Sequence, residues 1–161
     1  MTLEEYNHSV THYADGLYRF VVKNVKDHHF AEDVVQESYE KMWKNMAQVS
    51  GDKVKPYLFT TAYHTLIDRL RKERRMVTAA EIPPGTETVS SGYSDVRERL
   101  GEAVARLPEI QRIVITLRDY EGYSYQEIGE ITALNESQVK VYIYRARVFL
   151  KNYIGKLDVL V

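Results

Sequence analysis

Apolar residues recur along this chain at steps of three and four, and no stretch alternates convincingly at steps of two. That property points to helices, because one helix face repeats about every 3.6 residues and one strand face every two. Tyr6, Val10, Tyr13, Leu17 and Phe20 lie on one such face and predict a first helix, opened by Thr2 with Glu5 at capping-box spacing. "KDHHF" interrupts it. A second helix is predicted from about Ala31 to Met46, with Val35, Tyr39, Met42 and Met46 inward. After the turn-rich "VSGDKVK", Pro56 is placed to start a third helix, running to about Arg75 and packing through Leu58, Ala62, Leu66 and Leu70.

Residues 77–94 ("VTAAEIPPGTETVSSGYS") combine two prolines, two glycines and a cluster of Ser and Thr without periodicity, which reads as a flexible linker. Beyond it, Val96, Leu100, Val104 and Leu107 mark another helix. Pro108 opens the next, to about Tyr120, and Gly122 ends it. The expected architecture is all-α, with two small helical domains, 1–76 and 95–161, joined by a flexible linker, 77–94. Each half is small for an independent core. Thirteen tyrosines compensate by burying rings while keeping a hydroxyl at the edge.

The C-terminal half contains two capping signatures eleven residues apart, Ser124 with Glu127 and Asn135 with Gln138. They leave a first helix of about two turns and a short connection, the proportions of a helix-turn-helix. Ala133 falls where the turn wants a left-handed backbone, at a cost of about 1 kcal/mol. On the second helix, Val139, Ile143, Ala146 and Leu150 form the packing arc, and Ser137, Val141, Tyr144 and Val148 the opposite one. A recognition helix reads bases with its N-terminal residues and holds phosphates with its cations. Glu136, Ser137, Gln138 and Val141 are therefore the candidates for base edges, with Tyr144 beside them, and Lys140, Arg145 and Arg147 those for the phosphates. A plain helical hairpin with a solvated basic face is the alternative.

Composition narrows the class. A hydrophobic fraction of 44% and a charged fraction of 28% fit a soluble globular protein. No apolar run approaches the roughly 20 residues of a membrane helix, and "MTLEEYNHS" lacks the marks of a secretory signal. The absence of cysteine rules out disulfides and thiolate chemistry, and fits a reducing cytoplasm. The net charge of −1 argues against a generic nucleic-acid coat protein, but the charges are segregated. Residues 31–40 hold four acids and no base, residues 66–75 five bases against two acids, and residues 140–151 four bases and no acid.

In the third helix, Tyr57, Thr61, His64, Asp68, Arg71 and Arg75 line the face opposite the packing residues. An aromatic, small polar groups and arginines suit single-stranded DNA, where rings meet unstacked bases and cations meet phosphates. An ordinary solvated basic helix is the bland alternative. In the second helix Asp33, Gln36, Glu37 and Glu40 share one face, either as ion-pair partners for the neighbouring basic helix or as a dock for a basic protein. His8 and His12 have the i, i+4 spacing of metal ligands, and "DHHFAED" gathers two histidines and three acids. Neither supplies a convincing ligand set. With no P-loop, nucleophile elbow or nucleotide loop, no catalytic residue, metal, cofactor or small-molecule substrate is expected. The residues also leave open a stand-alone dimeric helix-turn-helix regulator and an adaptor whose charged faces both bind protein.

"AEDVVQESYEKMW", "YLFTTAYHTLIDRLRKERR" and "LPEIQRIVITLRDYEGYSYQEIGEITALNESQVKVYIYRARVFL" resemble, in order, the core-binding and promoter-melting segments and the C-terminal helix-turn-helix of sigma-70-type factors. The small two-domain layout is similar to the extracytoplasmic-function subfamily. The resemblance implies that the face with Asp33, Gln36, Glu37 and Glu40 docks the clamp helices of bacterial core RNA polymerase. It implies that the helix Tyr57–Arg75, with the loop from about Ala47 to Lys55, captures the melted −10 strand of promoter DNA. The helix from Glu136 would read the −35 duplex. A membrane-anchored anti-sigma factor is a further implied partner, and the cytoplasm the implied location. The chain departs from the family pattern at His64, where asparagine is usual, at Tyr57 for tryptophan and at Tyr63 for a basic residue. Gly129 and Ala133 stand where alanine and glycine are usual. His64 carries the expectation that imidazole protonation tunes single-strand binding, with His64→Gln as its test. In the free protein the linker would let the halves close on each other and hide both DNA surfaces.

Overall fold

The computed structural model describes residues 1–79 and 96–159, and among these every regular element is helical. Helix α1 (Leu3–Val25) starts at Thr2, whose side chain accepts from the Glu5 amide while Glu5 reaches back to the Thr2 amide. It ends at Lys26, in the left-handed conformation with φ 56°. The next residue, Asp27, caps α2 (His28–Lys44) by accepting from the Phe30 amide at 3.0 Å. "KDHHF" is therefore a tight joint between two helices, and α2 begins a turn before the hydrophobic pattern suggests.

A short 3₁₀ turn (Gly51–Lys53) leads into α3 (Val54–Ala79), which places Pro56 in its first turn, where a missing amide hydrogen costs nothing. The expected linker, 77–94, opens in helix at 77–79, and the rest of it lies outside the described residues. The second half comprises α4 (Val96–Ala105), α5 (Glu109–Ile115), α6 (Tyr125–Thr132) and α7 (Glu136–Val159). Between α5 and α6 the chain makes one π-helical turn (Thr116–Tyr120), closed by the Glu121 amide donating to the Thr116 carbonyl at 3.2 Å. Gly122, at φ +74°, then turns the backbone toward the helix-turn-helix.

The packing faces of α3 and α7 follow the sequence pattern. Leu58, Ala62, Leu66 and Leu70 are buried, as are Val139, Ile143 and Ala146, with Leu150 half-buried. On α2 the buried stripe is Ala31, Val34, Ser38, Tyr39 and Met42, so Val35 and Met46 lie at its edge. On α1, Val10 is exposed, and Ser9 is buried instead beneath the Tyr39 hydroxyl, which donates to its carbonyl at 2.7 Å.

The two halves are closed on each other. Their buried residues form one contiguous cluster, with α3 packed on α6, and α1 on α4, α5 and the π turn. Small halves gain core this way that neither could build alone. Closure does not hide the basic and polar faces of α3 and α7, which correct the expectation of mutual masking by remaining at the surface.

Candidate nucleic-acid interface

The helix-turn-helix is built by two reciprocal caps. Ser124 and Glu127 open α6, with the Glu127 amide donating to Ser124 Oγ at 3.1 Å and the Ser124 amide to Glu127 Oε1 at 3.0 Å. Asn135 and Gln138 open α7 in the same way, at 2.8 and 3.0 Å. Ala133 takes the left-handed turn position at φ 60°. Gly129 explains the other half of the unusual pair. A Cβ there would lie 2.7 Å from the Leu134 carbonyl oxygen, so the missing side chain lets the turn fold tightly back on α6.

These caps present the start of α7 to solvent. Glu136, Ser137, Gln138, Lys140, Val141, Tyr144, Arg145 and Arg147 are all exposed, Tyr144 at 70%. Exposed Val141, Tyr144 and Val148 are hydrophobic groups of the kind that meet thymine methyls or sugar edges rather than water. Not all the cations are equally disposed. Lys140 pairs with Glu136 at 3.4 Å, and Arg147 is drawn back to Asp119 at 2.7 Å, which holds its guanidinium above the usual range. Arg145 points outward among the phosphate candidates. Gln138 has a double role, since its side-chain oxygen closes the α7 cap while its amide nitrogen remains outside that bond.

On α3, His64, Asp68, Arg71 and Arg75 are exposed, whereas Tyr57 and Thr61 are half-buried. Asn45 donates to the Tyr57 hydroxyl at 3.3 Å, and the Thr61 hydroxyl donates to the Tyr57 carbonyl at 2.8 Å. The stripe thus runs from an aromatic end tied by hydrogen bonds to an exposed cationic end. Its neighbour Arg69 serves the fold, bridging Asp27 and Glu73 at 3.0 Å each and covering the Phe30 ring.

The acidic face of α2 is also at the surface, with Asp33, Gln36, Glu37 and Glu40 exposed. Glu37 pairs with Lys41 at 3.0 Å and Glu40 with Lys44 at 3.2 Å, both within α2. The sequence reading missed Trp43. It is 50% exposed beside this face, with its ring held edge-on against Tyr6 at 5.1 Å. The signal was available, because a large apolar side chain one position past the buried Met42 turns onto the polar face.

His8 and His12 stack at 3.8 Å between ring centroids. In "DHHFAED", Asp27 is the α2 cap and the Tyr18 hydroxyl meets His28 Nδ1. Among the described residues no group of three or more His, Cys, Asp or Glu is arranged to hold a metal ion, and no helix is long and apolar enough to cross a membrane.

Residues 9–76 match the family described as Sigma-70 region 2, and residues 97–150 that described as Sigma-70, region 4. The chain is 31% identical to the ECF RNA polymerase sigma factor SigM of Bacillus subtilis (strain 168), over 86% of this chain and 88% of SigM. It is 30% identical to the RNA polymerase sigma factor SigV of the same organism, over 92% of this chain and 90% of SigV. Among solved structures, the fold resembles the sigma factor RpoE of Bartonella quintana, crystallised with the anti-sigma factor NepR. The TM-score is 0.78 at 23% identity, covering 95% of this chain and 98% of that one.

Proposed function

Because the chain belongs to the extracytoplasmic-function group of sigma-70 RNA polymerase sigma factors, and so directs promoter-specific transcription initiation, we propose that it divides the task among three surfaces. The start of α7 reads the −35 duplex, with Glu136, Ser137, Gln138 and Val141 toward base edges and Lys140, Arg145 and Arg147 toward phosphates; Tyr144 packs beside them. The stripe Tyr57, Thr61, His64, Asp68, Arg71 and Arg75 takes the −10 strand once it is single. Asp33, Gln36, Glu37 and Glu40, with Trp43 as an aromatic anchor, dock bacterial core RNA polymerase. The domains serving these ends are 1–76 and 95–161, with 77–94 between them, and the work is done in the cytoplasm.

The observation that carries this division is that all three faces are at the surface together, each with a different chemistry. A duplex-reading helix needs polar edges with cations behind them. A strand-capturing helix needs rings and arginines. A protein dock needs acids around an apolar anchor that cations of the partner can surround. This protein is not an enzyme: melting is driven by capture of unstacked bases and by polymerase binding energy, not by chemistry of its own. The stand-alone dimeric regulator that the residues left open is displaced by the family assignment. An anti-sigma factor is a fitting further partner, since the structurally similar RpoE is seen in complex with one.

Run-off transcription with core polymerase, with and without the chain, on genomic fragments tests the reading. Initiation at discrete sites only when both are present is the expected result, and equal output in both reactions defeats it. Trp43→Ala, which leaves the net charge unchanged, lowers core association without changing affinity for an isolated −35 duplex.

A further inference from the structure

The seam between the halves is tied by Arg19 and Glu121, through two bonds of 3.2 Å. One turn further along α1 it opens into a cavity of about 450 Å³ between α1, α4 and the π turn. Small-molecule sites have volumes of roughly 300–1,000 Å³. The floor is apolar: Val22 comes from α1, Val104 from α4 and the Tyr120 ring from the π turn. Gly101 belongs to the α4 wall, and a Cβ built there would meet nothing within 4 Å, so the space reaches the helix backbone.

The walls above this floor carry opposite charges. Lys23 and Lys26 stand on the α1 side, and Glu98 and Glu102, one turn apart, on the α4 side. Among the described residues no salt bridge joins one wall to the other. Lys23 instead lies 4.0 Å above the Tyr120 ring. Burial pushes its ammonium below the ordinary value, and the neighbouring Glu121 does not fully offset that. Lys26, the left-handed cap of α1, is exposed, as are both glutamates. Charges of opposite sign, held apart across an apolar floor, complement a molecule with an anion at one end and a cation at the other.

We infer that this cavity is a binding site for a small apolar zwitterion of dipeptide size, its carboxylate on Lys23 and Lys26 and its ammonium on Glu98 and Glu102. An extended two-residue unit spans about 7 Å, and a space of about 450 Å³ is roughly 8 Å across. A free amino acid carries both charges on one carbon, too close together to face opposite walls. The dipeptide side chains cover Val22, Val104 and Tyr120. None of these residues belongs to the DNA-reading faces or to the polymerase dock, so the site gives the chain a separate input, read from a dissolved molecule.

The test uses the full chain and leucyl-phenylalanine as probe, beside its N-acetyl form, which lacks the cation, and its C-terminal amide, which lacks the anion. Isothermal titration is expected to give a Kd below about 1 mM for the dipeptide, and binding about five- to tenfold weaker for each blocked form. Lys23→Met with Lys26→Gln erases the preference over the amide and keeps the preference over the N-acetyl form. Glu98→Gln with Glu102→Gln does the reverse. Gly101→Leu fills the space from the α4 backbone and abolishes binding. Because leucine favours a helix interior over glycine, the melting temperature of that variant holds or rises, which separates lost binding from lost fold. Saturating dipeptide raises the melting temperature of the natural chain and leaves that of Gly101→Leu unmoved.

No binding of any of the three probes overturns the site. Equal binding of all three shows an apolar cleft without charge recognition and overturns the zwitterion. Unchanged binding by Gly101→Leu places the probe elsewhere on the molecule and overturns the assignment to this cavity.

Discussion

Gln138 holds the start of its helix and faces outward at the same time. Its side-chain oxygen accepts from the Asn135 amide at 3.0 Å, which leaves the amide nitrogen outside the cap. Gln138→Ala should therefore lose twice: about 1 kcal/mol of stability from the cap, and about 1–3 kcal/mol of discrimination at one −35 base pair. Gln138→Glu separates the two effects, since a carboxylate serves the same cap. Its melting temperature is expected to match the natural protein, while base preference moves from adenine toward cytosine in competition binding. Arg145→Ala behaves differently, weakening all sequences alike and reducing the salt slope by about one. Unchanged base preference in both Gln138 variants refutes the assignment of that residue to an edge.

At the scale of elements, the turn between α6 and α7 invites a paired measurement. Ala133→Gly relieves a left-handed alanine and should raise stability by up to about 1 kcal/mol. Gly129→Ala should lower it by more, because the clash is with a backbone carbonyl that cannot move aside. Acid should weaken α6 as well. The Ser124 amide bond to Glu127 holds that carboxyl below its ordinary range. A depressed folded value means the unfolded chain takes up the proton first as pH falls. The contribution is therefore complete above about pH 4.3 and is lost below it, toward the folded value. Thermal melts across this range should show a smaller acid loss for Glu127→Gln, which keeps the cap without the titration. These elements were legible in the sequence because caps and glycines act within a few residues. On α2, Tyr39 and Met42 are buried as expected, but Val34 takes the place given to Val35, since the two are equally apolar and only packing against α1 and α3 selects the first. Val10 fits the α1 period, yet the neighbouring helices do not reach that far around it.

The seam was not legible at all. Arg19 and Glu121 are 102 residues apart, and neither has a local pattern that names the other. What the whole molecule does show in its sequence is charge, four acids in residues 31–40 set apart from the bases of α3 and α7, in a chain whose net charge is only −1. Glu37→Lys with Glu40→Lys makes the net charge positive. Affinity for arbitrary duplex DNA, measured by fluorescence anisotropy at low salt, should rise while association with core polymerase falls. No rise would mean that the acidic face has no part in limiting contact with bulk DNA. A molecule with almost no monopole but a strong internal separation of charge feels little pull from a distant polyanion, and a torque once it is near. It is thereby spared from being soaked up by the chromosome, and it turns to face DNA the right way only on arrival.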